Sequence, residues 1–558
     1  MRYFSFDIFD TCLIRTCGTP ENLFDILSKM VFKQTVSESI RQDFIIARRD
    51  AEYKLYYNNP SSNIYDIYKL LSFDHPYLWS TEELIKKELD LERNVLVPVL
   101  KIRELITKLR HEGHSILFVS DMYLPASFLI EILLRYDLYR KGDKVFISCE
   151  VGKTKLNGDI YKHIHETEKI PYNKWTHYGD NKRSDIIEPH KLGIKTVFVN
   201  HSYSLYEQKW INNGAETQFR IKHIVAGISR SLFHFLPDHP RKRLLLDIIA
   251  PLYVSFVGYV FEESQRLGIK HLFFCARDTY QMYQVAQVIQ KKYEIISIHY
   301  MRVSRTVLNK EDPNLILKFF EQEGLASNHY RSAIIDSSTS GGSFKKINQI
   351  LTDNYYAKAY GFFLVKWTNS FINDTAYTSI IKQQYVNNNK RYSAIFKNNV
   401  ITLLENIFSS NSDNRTIGYY EQNNKIIPLY TNEFDNEDCA QQDIASIQSY
   451  HTMVLTKYTE TYLSLNLTSY SSFVLHNLAV PIFSQFIYYP TKEYTESLFN
   501  CFLKESGSVL PYIKKETLFR LIRTLGHDTC WSRATIFYNT PKWIHPFLLK
   551  YIDEKESR

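Results

Sequence analysis

Residues 2–11 read RYFSFDIFDT, a short run of aromatic and small residues that stops at the carboxylate Asp7. Working outward, SILFVSDM (115–122), KVFIS (144–148), WTHYGD (175–180) and TVFVN (196–200) repeat the pattern, separated by amphipathic stretches of helical spacing. That rhythm predicts a parallel α/β sheet. A long insert from Pro20 to about Pro98, with RQDFIIARRDAEYKLYY and TEELIKKELDLERNVLV at helical periodicity, predicts a helical cap between the first and second strands. In a parallel sheet the residues just past the carboxyl ends of the strands converge on one crevice. Asp7, Ser120, Lys155, Asp180 and Asp185 stand at such positions. A carboxylate nucleophile, a hydroxyl and a lysine to hold phosphate, and acids to hold Mg²⁺ are what phosphoryl transfer to aspartate needs.

The segments FDIFDT, FVSDMYLP, KLNGDIY and GDNKRSD resemble, in order and spacing, the four motifs of the haloacid dehalogenase superfamily, over about residues 1–200. The resemblance implies a Rossmann-like phosphatase domain over 1–205 with its cap at about 17–98. It makes Asp7 the nucleophile, Ser120, Asp121 and Lys155 the phosphate-binding residues, and Asp7, Asp180 and Asp185 the Mg²⁺ ligands, the Phe9 carbonyl completing the shell. Phosphatases of the superfamily carry a second aspartate two places after the nucleophile; here that place holds Phe9, and Asp10 follows. Either Asp10 or a cap residue replaces that acid, or the domain is slow, dehalogenase-like or a scaffold.

A second α/β rhythm runs through HLFFCARD (271–278), IISIHYMRVSR (295–305), SAIIDSSTSGGS (332–343) and KAYGFFLVKW (358–367). In SAIIDSSTSGGS a strand ends at Asp336 and a hydroxyl- and glycine-rich turn opens a helix. Amides and hydroxyls of such a turn cradle a phosphate monoester. Asp336 is expected on ribose hydroxyls, with Thr339, Ser340, Gly341, Gly342 and Ser343 around the phosphate. This turn resembles the phosphoribosyl diphosphate loop of type I phosphoribosyltransferases, and HLFFCARDTYQM resembles their diphosphate loop. Arg277, with Arg302 and Arg305 on the strand between the loops, then neutralises the leaving diphosphate. Asp278 is the candidate general base and Glu405 an acceptor candidate. Most members carry two adjacent acids at the loop start, whereas Ile335 precedes the lone Asp336 here.

With 558 residues the chain predicts several domains: 1–205, a phosphoribosyltransferase-like α/β domain at 206–430 and a mainly helical accessory region at 431–558, part of the acceptor site. Hydrophobic residues at 44% and charged residues at 23% exclude disordered, collagen-like and coiled-coil classes. A net charge of +8 without a basic tail argues against nucleic-acid binding. Seven scattered cysteines without a CxxC pair argue against a disulfide framework or zinc site and for a reducing cytoplasm. No signal peptide or clean transmembrane span is expected; Leu244–Phe261, interrupted by Asp247 and Pro251, reads as a buried core helix. Peripheral association with the inner membrane face and the oligomeric state stay open.

Together the two halves resemble bacterial systems that install ribofuranose in surface polysaccharides. The resemblance implies transfer of 5-phosphoribosyl from phosphoribosyl diphosphate to a hydroxyl of a glycan or lipid-linked glycan, then removal of the 5-phosphate, with Mg²⁺ in both steps. The alternatives are a stand-alone Mg²⁺-dependent sugar-phosphate phosphatase whose second half binds substrate or a partner, and a non-enzymatic second half.

Overall fold

The computed structural model describes residues 1–32, 36–71, 73, 79–200, 207, 217–339, 341–366, 378–381, 403–404, 414–431, 444–498, 502–505, 508–511, 513–515, 517 and 531–556. Contacts divide the chain into two units, Met1–Asp238 with Ser464–Asn466, and His239–Leu463 with Leu467–Arg558. Each is an α/β structure built on a five-stranded parallel sheet.

In the first unit, β1 (Tyr3–Phe6) lies between β4 (Ser115–Ser120) and β6 (Trp175–Gly179), with β5 (Lys144–Ile147) and β7 (Lys195–Phe198) outside them, in the order β5-β4-β1-β6-β7. β4 is buried almost throughout, as a strand covered by helices on both faces must be. Leu117, Val119, Ile160, Ile164 and Trp175 form one side of its core. Because neighbours diverge on the two sides of β1, the carboxyl ends of β1, β4 and β6 open one crevice.

The chain leaves and rejoins this core through an antiparallel ribbon, β2 (Leu13–Arg15) against β3 (Leu96–Pro98). Between them lie the cap helices Pro20–Val31, Glu38–Asn58, Ile64–Leu70 and Thr81–Val95. Asn63 with Asp66 and Ser80 with Glu83 form reciprocal caps that start the last two. Buried pairs tie the helices together: Arg48 to Glu88 at 2.7 Å, and Arg15 on β2 to Glu92 at 2.8 Å. Tyr68 donates to Glu88 at 2.6 Å, so the buried charges are hydrogen-bonded as well as paired.

The expected boundary at residue 205 falls earlier than the contact division at Asp238. Helix Thr217–Phe235 packs within the first unit, where a Cβ at Gly227 would sit 2.5 Å from the Gly18 nitrogen. Only glycine allows that backbone approach. Arg230, one turn later, donates to the Gly18 carbonyl at 3.1 Å.

In the second unit, β8 (Ile269–Cys275), β9 (Ser297–Met301), β10 (Arg331–Thr339), β11 (Tyr360–Lys366) and β12 (Thr378–Ile381) take the order β12-β11-β10-β8-β9. The order reverses between β8 and β10, which places a second crevice at their carboxyl ends. Helix Lys242–Leu267 is long and apolar enough to cross a membrane, but 94% of its apolar window is buried inside the fold. A hairpin, β13 (Thr416–Gln422) and β14 (Lys425–Tyr430), turns on Asn423 and Asn424, both at positive φ, the pairing a two-residue turn requires. The contact division groups Leu467–Arg558 with the second sheet, and a second hairpin, β15 (Phe502–Glu505) and β16 (Ser508–Pro511), interrupts the expected helical run. Among the described cysteines, Cys12, Cys17, Cys149 and Cys275 are free thiols; Cys439, Cys501 and Cys530 lie outside the described residues.

Candidate functional site

Asp7 follows β1, and its backbone N–H is held by the Tyr178 carbonyl at 2.9 Å. Lys155 comes from the loop between Gly152 and Gly158, both in the left-handed conformation that ends one helix and opens the next. Its ammonium donates to Asp7 Oδ1 at 2.6 Å and Asp185 Oδ1 at 2.7 Å. Asp180 completes a group in which ligand atoms of Asp7, Asp180 and Asp185 lie within 4.8 Å of one another. Gly179 is obligatory, since a Cβ there would stand 2.4 Å from the Asp185 Cβ.

Burial pushes the Asp7 carboxyl well above the usual range; Lys155 opposes the shift, while Asp185 and Asp180 add to it. Burial, Asp10 and Asp185 push Asp180 up to about 7. At Asp185 burial also acts upward, but Lys155 and His177 outweigh it and hold the group well below the carboxylate range. Three carboxylates against one lysine leave an excess of negative charge, and all the donors are oxygens. Hard divalent cations such as Mg²⁺ take such a set.

Ser120 is buried at the end of β4. Asp121, expected on phosphate, instead accepts the Lys155 N–H with both oxygens, at 2.9 and 3.0 Å, and so shapes the lysine loop. Asp10 sits at φ 52°, 3.8 Å from Arg230, and its charge reaches Asp180. The Phe9 ring lies under the Arg15 guanidinium, 4.4 Å from its centre.

The sequence reading missed a buried relay behind Asp185. Ser5 on β1 and His177 on β6 are direct register partners. Trp175 Nε1–H donates to Ser5 Oγ at 2.7 Å, and Ser5 lies 2.7 Å from His177 Nδ1. Tyr161 donates its hydroxyl to the Ser184 carbonyl and the Asp185 carboxylate only accepts, so His177 carries its proton on Nε2, facing Tyr161 at 3.0 Å and Asp185 Oδ1 at 3.3 Å, and Ser5 donates to Nδ1. Its signal was a polar ring inside the buried strand WTHYG. Tyr56, on the cap, was also missed; burial and Asp121 push its hydroxyl up to about 12.

At the second crevice a cavity of about 530 Å³ brings together Arg277, Asp278, Arg305, Asp336, Gly342 and Ser343 from the expected set. Lys346, Arg415, Asn309 and Cys275 also line it. Helix Gly342–Asp353 starts here behind Gly341, which is at φ 91°. Asp278 is raised by burial, against the pull of Arg277 and Arg305. Arg302 is not among the lining residues: β9 ends at Met301, and the Arg302 guanidinium lies between the Tyr300 and Tyr430 rings, 5.3 Å from each. Arg305 opens the following helix rather than lying on the strand. Thr339 ends β10, while Ser340 and Glu405 lie outside the described residues.

No family model matches the chain, and no curated protein matches it. Among solved structures, a HAD family enzyme from Bacteroides thetaiotaomicron is 15% identical, with 38% of this chain and 98% of that chain covered and a TM-score of 0.28. A HAD phosphatase from Thermococcus onnurineus is 18% identical over 39% of this chain and 90% of its own, at 0.27. The putative HAD-hydrolase YfnB from Bacillus subtilis, bound to magnesium, is 14% identical over 37% and 91%, at 0.28.

Proposed function

We propose that the first unit is a Mg²⁺-dependent phosphomonoesterase that works through an aspartyl-phosphate on Asp7. The observation that carries this reading is the convergence of Asp7, Lys155, Asp180 and Asp185 at the carboxyl ends of three parallel strands. Mg²⁺ held by Asp7, Asp180 and Asp185 would supply charge stabilisation at the phosphoryl oxygens. An Asp7 oxygen attacks phosphorus, the bond to the leaving oxygen breaks, and that oxygen takes a proton from Asp10 or from a cap residue. Water then attacks the phosphorus of the aspartyl-phosphate and frees phosphate and Asp7. Lys155 holds Asp7 in place, Asp121 holds the Lys155 loop, and His177 orients Asp185. The test is phosphate release from a panel of sugar phosphates with and without Mg²⁺, for the wild type and Asp7→Asn. Metal-dependent turnover absent from the variant supports the reading; equal turnover by both overturns it.

The cavity in the second unit favours a further reading, in which the chain transfers 5-phosphoribosyl from phosphoribosyl diphosphate to a glycan hydroxyl and the Asp7 site then removes the 5-phosphate. Its support is the grouping of Arg277, Arg305 and Asp278 with Asp336, Gly342 and Ser343 around one space. The arginines would take the diphosphate, Asp336 the ribose hydroxyls and Asp278 the acceptor proton. Calorimetric titration of phosphoribosyl diphosphate with Mg²⁺ into wild type and Asp336→Ala tests it: saturable binding lost in the variant supports donor recognition, and no binding to wild type rejects it.

A further inference from the structure

The turn Lys542–Ile544 and the helix His545–Glu556 after it present a fixed face to the rest of the second unit. His545 is buried there: its Nε2–H donates to the Thr540 carbonyl at 3.0 Å, and Nδ1 accepts from the Tyr489 hydroxyl at 3.1 Å. Its ring stands edge-on to Phe537, with centroids 4.5 Å apart, and Leu548 packs against Ile536. With His545 and Leu548 turned inward, helical spacing sends Phe547, Lys550 and Tyr551 outward. Trp543 stands one turn before Phe547.

The outward face is aromatic and basic. Trp543 is 74% exposed, Phe547 73% and Tyr551 46%. A single exposed ring is ordinary, but three on successive turns of one face make a contact surface. From Trp531 to Ile552 the sequence holds no Asp or Glu, and Lys542 and Lys550 are exposed beside the rings; the acidic run begins only at Asp553. The patch therefore suits an anionic partner with apolar depth. A second copy of the chain is a poor match, since a two-fold contact sets the same patch against itself and lysine against lysine. An anionic bilayer meets both requirements: rings enter the interface, where Trp and Tyr keep their polar atoms at headgroup depth, and the lysines meet lipid phosphates.

We infer that Trp543, Phe547 and Tyr551, with Lys542 and Lys550, form a contact surface for a bilayer that carries anionic lipid. The surface is distinct from helix Lys242–Leu267, whose apolar window is buried inside the fold. It is a peripheral contact rather than an insertion, because the inner face of the same helix stays committed to Phe537 and Ile536. The inference stands apart from both catalytic readings; where the acceptor is carried on a lipid, the contact brings the chain to the surface on which that acceptor lies.

The experiment is cosedimentation of the full chain with vesicles of phosphatidylcholine, alone or mixed with phosphatidylglycerol. The wild type is expected to sediment with the mixed vesicles, more weakly as salt rises, and to stay in solution with phosphatidylcholine alone. Trp543→Ser combined with Phe547→Ser should lose the binding and keep the wild-type melting temperature, since both side chains lie in water. Lys542→Gln and Lys550→Gln should each weaken it about fivefold. Lipids brominated in the acyl chain should quench part of the tryptophan fluorescence of the wild type; Trp543→Phe, which keeps an apolar ring, should still sediment but lose that quenching. Three results overturn the inference: no binding to the mixed vesicles, binding that the double serine variant retains, or a wild-type dimer in analytical ultracentrifugation that this variant dissociates, which would make a second copy the partner.

Discussion

The acidic group behind β1 and β6 and the basic cavity at the end of β8 and β10 stand at equivalent places in two parallel sheets, yet their charges are opposite in sign. In the first, Lys155 is shared by Asp7 and Asp185 and carboxylates remain in excess. In the second, four cations line a space of about 530 Å³ against two carboxylates. The first is closed around its own ion pairs, with a carboxylate excess that suits a cation; the second is lined by a cationic excess that would suit an anion. A switch point supplies the place, and the residues that follow the strands decide what the place attracts.

The largest effect expected from breaking this contrast is Asp7→Asn. If the acidic group performs the chemistry, phosphate release falls at least ~10³-fold, because in that reading Asp7 carries the phosphoryl intermediate. Asp336→Ala should leave that release unchanged. A phosphatase assay on both variants checks the separation, and a large loss in Asp336→Ala would merge the two sites into one.

Gly179→Ala is next. Its added methyl would overlap Asp185, so either the strand end or the metal ligand must move. Overpacking of this kind costs roughly 1–3 kcal/mol. Chemical denaturation should show that loss, and added Mg²⁺ should stabilise the variant far less than the wild type.

The two sites should also respond to pH in opposite directions. Asp180 is pushed up to about 7 in the folded protein from an ordinary value of 3.8, so between these the native state holds a proton that the unfolded chain has lost. Without metal, stability therefore falls as pH rises through that window. Mg²⁺ must displace the proton, so its affinity should rise up to about tenfold per pH unit below 7 and level off above. The raised Asp7 acts in the same sense. At the cavity, protonating the raised Asp278 removes a negative charge, so anion affinity should tighten as pH falls. Calorimetry in buffers of different ionisation enthalpy reads both slopes, and slopes of the same sign would contradict the contrast.

Much of this was legible in the sequence because parallel strands bring their following residues together whatever lies between. Asp7, Lys155 and Asp185 could be grouped from strand ends alone, across 148 residues for Asp7 and Lys155. What escaped depends on close approach between surfaces. Arg230 reaches Gly18 from 212 residues away because two glycines allow the backbones to touch, and no local pattern announces that pairing. Asp121 looked like a phosphate ligand from its place after Ser120, but its carboxylate is taken by the Lys155 backbone. Arg302 was placed in the second site by counting along a strand that stops one residue earlier, whereas Arg415 enters it on a hairpin whose docking is tertiary.

The smallest effect concerns that docking. Tyr419→Phe removes one hydroxyl, whose bond to the Arg302 carbonyl is worth about 1 kcal/mol, while the ring keeps its stack on Phe319. The hairpin should stay folded but lose part of its brace against the segment that carries Arg305. Because Arg415 lies four residues before Tyr419, inorganic diphosphate should bind about two- to fivefold more weakly, and Asp7-dependent phosphate release should not change. Calorimetry with inorganic diphosphate on Tyr419→Phe, beside the phosphatase assay, checks this. Lowered stability with wild-type diphosphate affinity would mean that the hairpin is a structural prop, and that the basic cavity, like the acidic group, is organised from its own sheet alone.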